Sequence, residues 1–339
     1  MATSDDLIGR CDGVVTGAGQ AIDWIETVRA DSRTLDADAD GLIERLRRHR
    51  NLARRLGAAA ARPMAVGFFG LSQAGKSYLI SALARAENGA VETLMDGQRL
   101  NFISHVNPPG SGKEATGIVT RFTRHPGSGP AGFPVALSLL SEADLVKIIG
   151  NTYFLDFDPQ KVEYAVDHDR LSAHLAPLKK RAQARPTGGM TADDVVDVMD
   201  YFRKRFANSV KPFEAEFWPV AIRLAPLLSP EDRAQLFAPL WGEVPELVAA
   251  YLRLRQGLAK LGHAPQAFAE LGALVKPDGN GGFTQADSIM NVDMLARLGR
   301  DDADTVAVVP VIGGEASSSV AVPRSLLAAL SREMAFALA

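Results

Sequence analysis

Residues 66–80 read VGFFGLSQAGKSYLI, and this stretch decides the fold because it contains the pattern G-x-x-x-x-G-K-S from Gly70 to Ser77. The apolar run from Met64 to Phe69 predicts a β-strand that leads into the pattern. The run from Tyr78 to Arg85 predicts a helix that leaves it. A glycine-rich turn between a strand and a helix is the context that a phosphate-binding loop (P-loop) requires. The sequence therefore predicts an α/β domain built around this loop.

The residue types of the loop indicate its chemistry. Gly70 and Gly75 allow backbone conformations that a Cβ would forbid, so the loop can wrap an anion. Lys76 adds a full positive charge for the β- and γ-phosphates, and the Ser77 hydroxyl is suited to ligate Mg²⁺. We therefore expect the loop and the first helical turn to hold a nucleoside triphosphate and Mg²⁺, through Gly70, Ser72, Gln73, Ala74, Gly75, Lys76, Ser77 and Tyr78.

The composition narrows the class of protein. The chain has 339 residues, of which 47% are hydrophobic, so it can bury more than one core. The net charge of -3 does not attract nucleic acid or an anionic membrane. The single cysteine, Cys11, fits a reducing compartment, and the polar, acidic residues 1–6 do not resemble a secretory signal. We expect a cytoplasmic protein that binds neither nucleic acid nor membrane.

The hydrophobic pattern predicts four segments. They are an N-terminal helical segment (1–60), the P-loop and switch-like first part of a nucleotide-binding domain (61–140), a helical insertion (141–285) and a return to the α/β domain (286–339). The first part includes two strands, 118–123 and 133–139, expected to form a hairpin. The last includes strands at 305–312 and 319–322 and a helix from Arg324 to about Met334. The predicted fold is α/β, a P-loop NTPase-type sheet with N-terminal helices and a large all-helical insertion.

The insertion is larger than a nucleotide site requires. Segments of this kind usually carry regulation, oligomerisation or partner binding. We therefore expect a protein partner on the helical insertion, with self-association into a homo-oligomer as a second option.

A threonine-containing segment, 114–121, fits the mobile loop that senses the γ-phosphate in nucleotide switches. Thr120 is the first candidate for a contact with Mg²⁺ and Thr116 is the second. Both threonines also suit an ordinary strand, because β-branched residues favour strands.

Several stretches carry a family resemblance. Gly117-Ile118-Val119-Thr120-Arg121, placed after the P-loop, is similar to the first switch region of dynamin-superfamily GTPases. Residues 69–83, 107–110 with 116–123, and 141–147 resemble the SrfC-like bacterial virulence factors. The resemblance implies a Mg²⁺-dependent GTP switch in which Thr120 contacts the metal. For the SrfC-like family it implies an association with virulence and no defined reaction.

The sequence also departs from the GTPase pattern. Dynamins place a serine where this chain has Gln73, whose amide could donate to the β–γ bridging oxygen or hold a water. The letters Asp278-Gly279-Asn280-Gly281 match D-x-x-G, but their glycine-rich context after Pro277 predicts a plain turn. The guanine-selecting N/T-K-x-D pattern has no match. Gln73 and Thr120 are therefore candidate catalytic residues for a hydrolysis that we expect to be slow or absent.

Several interpretations stay open at this point. The nucleotide is GTP or ATP, and GTPase activity requires a carboxylate motif that a longer chain would supply, as the mid-pattern ending at Ala339 suggests. Alternatively, the chain is a helical protein-interaction module with a vestigial P-loop. Two other groupings are better explained as surface residues. They are the arginine-rich run Arg45–Arg55, which predicts a solvated helix face, and the histidines His168 and His174, whose spacing does not suit a metal site.

Overall fold

The computed structural model describes residues 3–70, 75–84, 91–108, 117–127, 129–156 and 166–338. The chain separates into two compact units. The helical unit comprises Met1–Val66 and Glu142–Leu252, and the α/β unit comprises Gly67–Ser141 and Arg253–Ala339. The protein is therefore a mixed α/β chain in which each unit is assembled from two stretches of sequence.

The helices have the following bounds. In chain order they are α1 Ser4–Val28, α2 Arg33–Ala60, α3 Lys76–Ala84, α4 Glu142–Asp156, α5 His168–Arg181, α6 Ala192–Arg205, α7 Ala207–Val210, α8 Phe217–Leu224, α9 Pro230–Phe237, α10 Pro245–Lys260 and α11 Arg324–Leu330. Short 3₁₀ turns connect several of them, and a π-helical turn spans Phe102–Val106. Within the described ranges, no helix combines the length and the apolar character needed to cross a membrane.

The strands have the following bounds. In chain order they are β1 Glu92–Met95, β2 Gln98–Asn101, β3 Val119–Thr123, β4 Val135–Leu139, β5 Gln266–Ala269, β6 Val275–Pro277, β7 Phe283–Gln285, β8 Thr305–Ile312, β9 Glu315–Ala316, β10 Val320–Pro323 and β11 Ser331–Ala337. A seven-stranded sheet has the order β10-β8-β5-β4-β11-β3, with β9 paired to β8. β1 with β2 and β6 with β7 form separate hairpins.

The N-terminal helices form as the sequence predicts. Thr3 caps α1 and Ser32 caps α2, each accepting a hydrogen bond from a backbone N–H three residues later. The helices pack antiparallel around a core of apolar residues spaced three or four apart, which are Ile22, Ile25, Ala39 and Ile43.

The arginine-rich run of α2 is only in part the solvated helix face that the sequence predicts, because most of its arginines pair with carboxylates of α6. Arg47, Arg50 and Arg54 all bind Asp193 of α6, with nitrogen–oxygen distances of 3.0, 2.6 and 2.7 Å. The Asp193 side chain is 3% exposed. Burial raises the pKa of Asp193, but the hydrogen bonds from the three arginines outweigh it, so this pKa lies below its ordinary value. The run therefore joins α2 to α6, with Arg48–Asp200 and Arg55–Asp197 as further pairs.

The predicted hairpin between the strands at 118–123 and 133–139 is wrong. Both strands form, but β11 lies between them, parallel to β3 and antiparallel to β4. The predicted helix from Arg324 to about Met334 is wrong for the same reason. It ends at Leu330, because Ser331–Ala337 pairs with both neighbouring strands, and this tertiary pairing outweighs the helical propensity of its residues.

The helical pattern predicted up to about residue 274 ends earlier. Helix α10 stops at Lys260, where Gly262 and His263 adopt left-handed conformations, with φ of +63° and +55°. Strand β5 follows and pairs with β4 on one side and β8 on the other. Its sequence, QAFA, gave no strand signal because two of its four residues are alanines.

Candidate functional site

Gly75 and Lys76 form the junction between the glycine-rich loop and α3. Gly75 has a φ of +81°, a left-handed conformation that disfavours any residue with a Cβ. Its carbonyl accepts a hydrogen bond from the backbone N–H of Leu79 at 2.9 Å, and α3 begins at Lys76. The backbone thus turns into a helix where the pattern G-x-x-x-x-G-K-S predicts, so the helix N-terminus follows the loop directly.

The side chain of Lys76 reaches back to the start of the loop. Its Nζ donates a hydrogen bond to the carbonyl oxygen of Gly70 at 2.8 Å. The contact joins the first and the next-to-last residue of the pattern. A full positive charge therefore lies at the mouth of the loop, next to the first turn of α3.

The remaining loop residues are described only in part. Ser72, Gln73 and Ala74 lie outside the described residues, as does the side chain of Ser77, whose backbone belongs to α3. Tyr78 is described, and its side chain is 77% exposed. The roles expected for these residues stay predictions.

The strand predicted from Met64 to Phe69 does not form. Residues 63–70 have no strand or helix, and Met64 and Phe69 are 101% and 95% exposed. A strand needs a neighbour for its backbone N–H and C=O groups, and the pairings of the described strands do not include this segment. Along the same stretch of chain, Leu79 and Leu83 of α3 are exposed as well. The apolar residues that flank the loop therefore face solvent.

Thr120 lies in β3, at the end of the seven-stranded sheet, opposite Met334 of β11. Its side chain is half-buried on the face of the sheet that also carries Phe122, which contacts Phe102 and Phe336 with ring centroids 4.8 and 5.8 Å away. In the part of the chain that the structure describes, no side-chain hydrogen bond joins Thr120 to Gly75 or Lys76. The contact expected between Thr120 and Mg²⁺ stays a prediction, and Thr116 lies outside the described residues.

The start of β3 has an anchor that the sequence did not reveal. The backbone N–H of Gly117 donates to the carbonyl of buried Met290 at 2.9 Å. Within β3, Arg121 forms an ion pair with Glu333 of β11 at 2.8 Å. The anchor is a backbone contact between positions far apart in sequence, and no residue-type pattern signals such a contact.

The D-x-x-G match is the plain turn that its context predicts. Asp278 follows β6 and accepts hydrogen bonds from the backbone N–H groups of Asn280 and Gly282, at 2.7 and 2.9 Å. These bonds hold the pKa of Asp278 below its ordinary value. The carboxylate is therefore occupied by its own β6–β7 turn.

The two histidines also have structural partners. His168 pairs with Glu216 at 2.8 Å, and a ring nitrogen of His174 lies 2.8 Å from the carbonyl of Gln235. No group of residues in the described ranges is arranged to hold a metal ion through three or more His, Cys, Asp or Glu side chains.

The fold and the candidate site together define a mixed α/β protein with a glycine–lysine loop at the start of an exposed helix. Residues 21–339 match the family described as "Putative bacterial virulence factor", and the chain belongs to this family. No curated protein and no solved structure matches it significantly.

Proposed function

We propose that the chain binds a Mg²⁺–nucleoside triphosphate through the loop Gly70–Ser77, with GTP favoured over ATP. The observation that carries the proposal is the hydrogen bond from the Lys76 Nζ to the Gly70 carbonyl, which keeps an ammonium group at the loop mouth. The left-handed Gly75 and the start of α3 at Lys76 support it, because a helix N-terminus after a glycine turn attracts phosphate.

Each residue has a proposed role in binding. Lys76 exchanges its bond with Gly70 for one with the β- and γ-phosphates, while the backbone N–H groups of the loop hold the phosphate oxygens. Gln73 lies near the bridging oxygen. The hydroxyls of Ser77 and Thr120 are hard oxygen donors of the kind Mg²⁺ prefers, and the metal would neutralise phosphate charge there. The protein partner expected on the helical insertion belongs to the same proposal.

The proposal includes a P-loop NTPase-type, dynamin-like switch with slow or absent hydrolysis, as the resemblance implies. In a P-loop NTPase fold the segment that corresponds to Met64–Phe69 pairs as a strand, so adopting that fold would cover the exposed side chain of Phe69. Nucleotide binding should therefore slow amide hydrogen exchange across residues 64–70. GTPase activity would require a carboxylate motif in a longer chain, and a cytoplasmic, virulence-associated role follows from the resemblance and the family.

The test is a titration of the purified chain with fluorescent GTP and ATP analogues, with and without Mg²⁺. Wild type should bind one nucleotide in a Mg²⁺-dependent manner and gain about 2.7 kcal/mol of stability at a hundred times Kd. Lys76→Ala should lose both effects. Lys179→Ala, which removes an exposed lysine from α5, is the matched control and should bind like wild type. Wild type that binds neither analogue would contradict the proposal.

A second candidate function is a helical protein-interaction module with a vestigial loop. The unformed strand at residues 63–70 and the exposed Tyr78 and Leu83 of α3 favour it, since a working P-loop normally lies on a sheet. In that case wild type and Lys76→Ala would melt at the same temperature, with or without nucleotide.

A further inference from the structure

The hairpin of α1 and α2 has a second apolar face, which does not pack within the described chain. On α1, the buried residues Cys11, Ala18, Ile22 and Ile25 face α2. A second series at the same three- and four-residue spacing lies beside them and is largely exposed; it comprises Leu7, Arg10, Val14, Gly17, Ala21 and Trp24. Trp24 is 60% exposed and Val14 is 50% exposed. Helix α1 therefore carries two stripes of residues at helical spacing, and within the described chain only the stripe that faces α2 is covered.

Helix α2 contributes a matching series to the same side of the hairpin. Arg45, His49, Leu52 and Leu56 are spaced four, three and four residues apart, and the two leucines are 46% and 50% exposed. A shallow groove of about 280 Å³ is lined by residues of both series, which shows that they share one face. We call this surface the hairpin face. Two adjacent helices whose apolar stripes lie on one common face have the arrangement of half of a four-helix bundle.

Three short distances show which residues of α1 and α2 lie side by side in the helical hairpin. A Cβ on Gly57 would lie 3.3 Å from the Cys11 Cβ, and a Cβ on Gly19 would lie 3.3 Å from an Arg50 guanidinium nitrogen. Near the turn, Arg29 binds Asp40 at 2.9 Å. In this antiparallel register, Gly17 is level with Leu52, and Trp24 is level with Arg45.

The hairpin face is complementary to itself. No heavy atom lies within 4 Å of a Cβ placed on Gly17, so the helix has an opening there, level with the protruding Leu52. Arg45 is exposed and forms no ion pair with any described residue, while Trp24 offers an exposed aromatic ring. The face therefore pairs a large side chain with a small one, and a cation with an aromatic ring, at two separate levels.

We propose that the hairpin face binds the same face of a second copy of this chain, forming an antiparallel four-helix bundle. A two-fold axis parallel to the helices places α1 of one copy over α2 of the other. The rotation moves no residue along the helix direction, so residues that are level within one copy are also level across the interface. Leu52 then enters the opening at Gly17 of the other copy, and Arg45 lies over its Trp24. Each contact occurs twice, and Val14 meets Leu56 at the neighbouring level. This dimer does not depend on nucleotide binding.

The test is the mass of the purified chain in solution, measured by light scattering and sedimentation at micromolar concentration. Wild type should have twice the 36.2 kDa mass of one chain. Leu52→Glu should raise the dimer dissociation constant about thirtyfold or more, because it places a charge in the contact centre. Leu155→Glu, at an exposed leucine of α4, is the control and should stay dimeric.

Gly17→Leu separates loss of the interface from loss of folding. It fills the opening, so the variant should be monomeric, yet its circular dichroism should show no less helix than wild type, because leucine favours a helix over glycine. Gly9→Leu is its match, since Gly9 lies in α1 with open space around it but away from the hairpin face. It should remain dimeric. A monomeric wild type, or a Gly17→Leu variant that stays dimeric, overturns the proposal.

A cross-linking experiment tests the direction of the axis. A mixture of Trp24→Cys and Arg45→Cys chains should form a disulfide-linked heterodimer, whereas neither variant alone should do so beyond the background from Cys11. Cross-linking of Trp24→Cys with itself would overturn the proposed arrangement, because it would place α1 over α1.

Discussion

The two basic regions of the chain, the arginine-rich run of α2 and Lys76 in the loop, have opposite environments. In α2, three arginines surround Asp193 at 2.6–3.0 Å, inside the helical unit. In the loop, Lys76 binds the backbone carbonyl of Gly70, beside a left-handed glycine and a helix N-terminus. The first region holds two helices together, and the second lies where we propose that phosphate binds. The number of positive charges does not distinguish the arginine-rich run from the loop, whereas the backbone conformation around the charged residues does.

The largest effect should come from removing the acid of the α2–α6 contact. Asp193→Asn leaves Arg47, Arg50 and Arg54 without their shared counter-charge, and breaking a buried ion pair costs about 3–5 kcal/mol. The free energy of unfolding, measured by urea denaturation, should fall by about that amount. Asp6→Asn, at the exposed ion pair Arg10–Asp6 of α1, is the control and should cost about 1 kcal/mol or less. Equal losses in the two variants would contradict the central role of Asp193.

The pH dependence of the free energy of unfolding should reveal the lowered pKa of Asp193. Because the folded pKa of Asp193 is lowered, its stabilisation is present above the unfolded pKa of about 3.9 and is lost as pH falls through the folded pKa. Between pH 5 and pH 2, wild type should therefore lose more stability than Asp193→Asn. Urea denaturation at several pH values measures this difference. Parallel curves would mean that Asp193 does not have a lowered pKa.

An intermediate effect is expected from Gly75→Ala. The left-handed conformation at Gly75 costs a residue with a Cβ about 1–2 kcal/mol, so the loop should be strained and the proposed nucleotide affinity reduced about tenfold. Gly9→Ala, at an open helical position, should instead add about 0.5–1 kcal/mol of stability. Thermal unfolding and nucleotide titration of both variants measure the contrast. A Gly75→Ala variant that binds like wild type would show that this conformation is not needed.

The smallest effect should be that of Lys76→Ala on the stability of the ligand-free protein. The lysine contacts its own loop in a half-buried position, so its loss should change the free energy of unfolding by less than about 0.5 kcal/mol. Urea denaturation without nucleotide tests this, with Asp193→Asn as the contrasting variant. A loss as large as that of Asp193→Asn would mean that Lys76 has a structural role, like the arginines of α2.

The elements that the sequence predicted well are those with strong local signals. Helices α1 and α2 have apolar residues at helical spacing and a threonine or serine at each N-cap. The strand at Thr305–Ile312 has the predicted bounds, since its β-branched run leaves little alternative. The strands that the sequence analysis missed or assigned to a helix, such as β5 and β11, lie in alanine-containing stretches. There, pairing with distant strands decides the structure.

The candidate site shows the same division. The letters from Gly70 to Ser77 correctly predicted a left-handed Gly75 and a helix after the loop, although α3 begins at Lys76 rather than Tyr78 and Gly70 is not among the left-handed glycines. They did not reveal that Met64–Phe69 would lie outside the sheet, or that Gly117 would be held by Met290. Both outcomes depend on which distant backbone groups find partners, and residue types near the loop carry no information about that.

The sequence alone therefore determined the helical N-terminus, the position of the loop and the membership of a virulence-factor family. These properties follow from local spacing, glycine conformation and residue identity, which act over a few positions. The tertiary structure alone decided that the arginines of α2 bind α6, that β11 separates β3 from β4, and that a self-complementary hairpin face stays exposed. These are contacts between residues far apart in the chain, and only the folded backbone brings them together or leaves them uncovered.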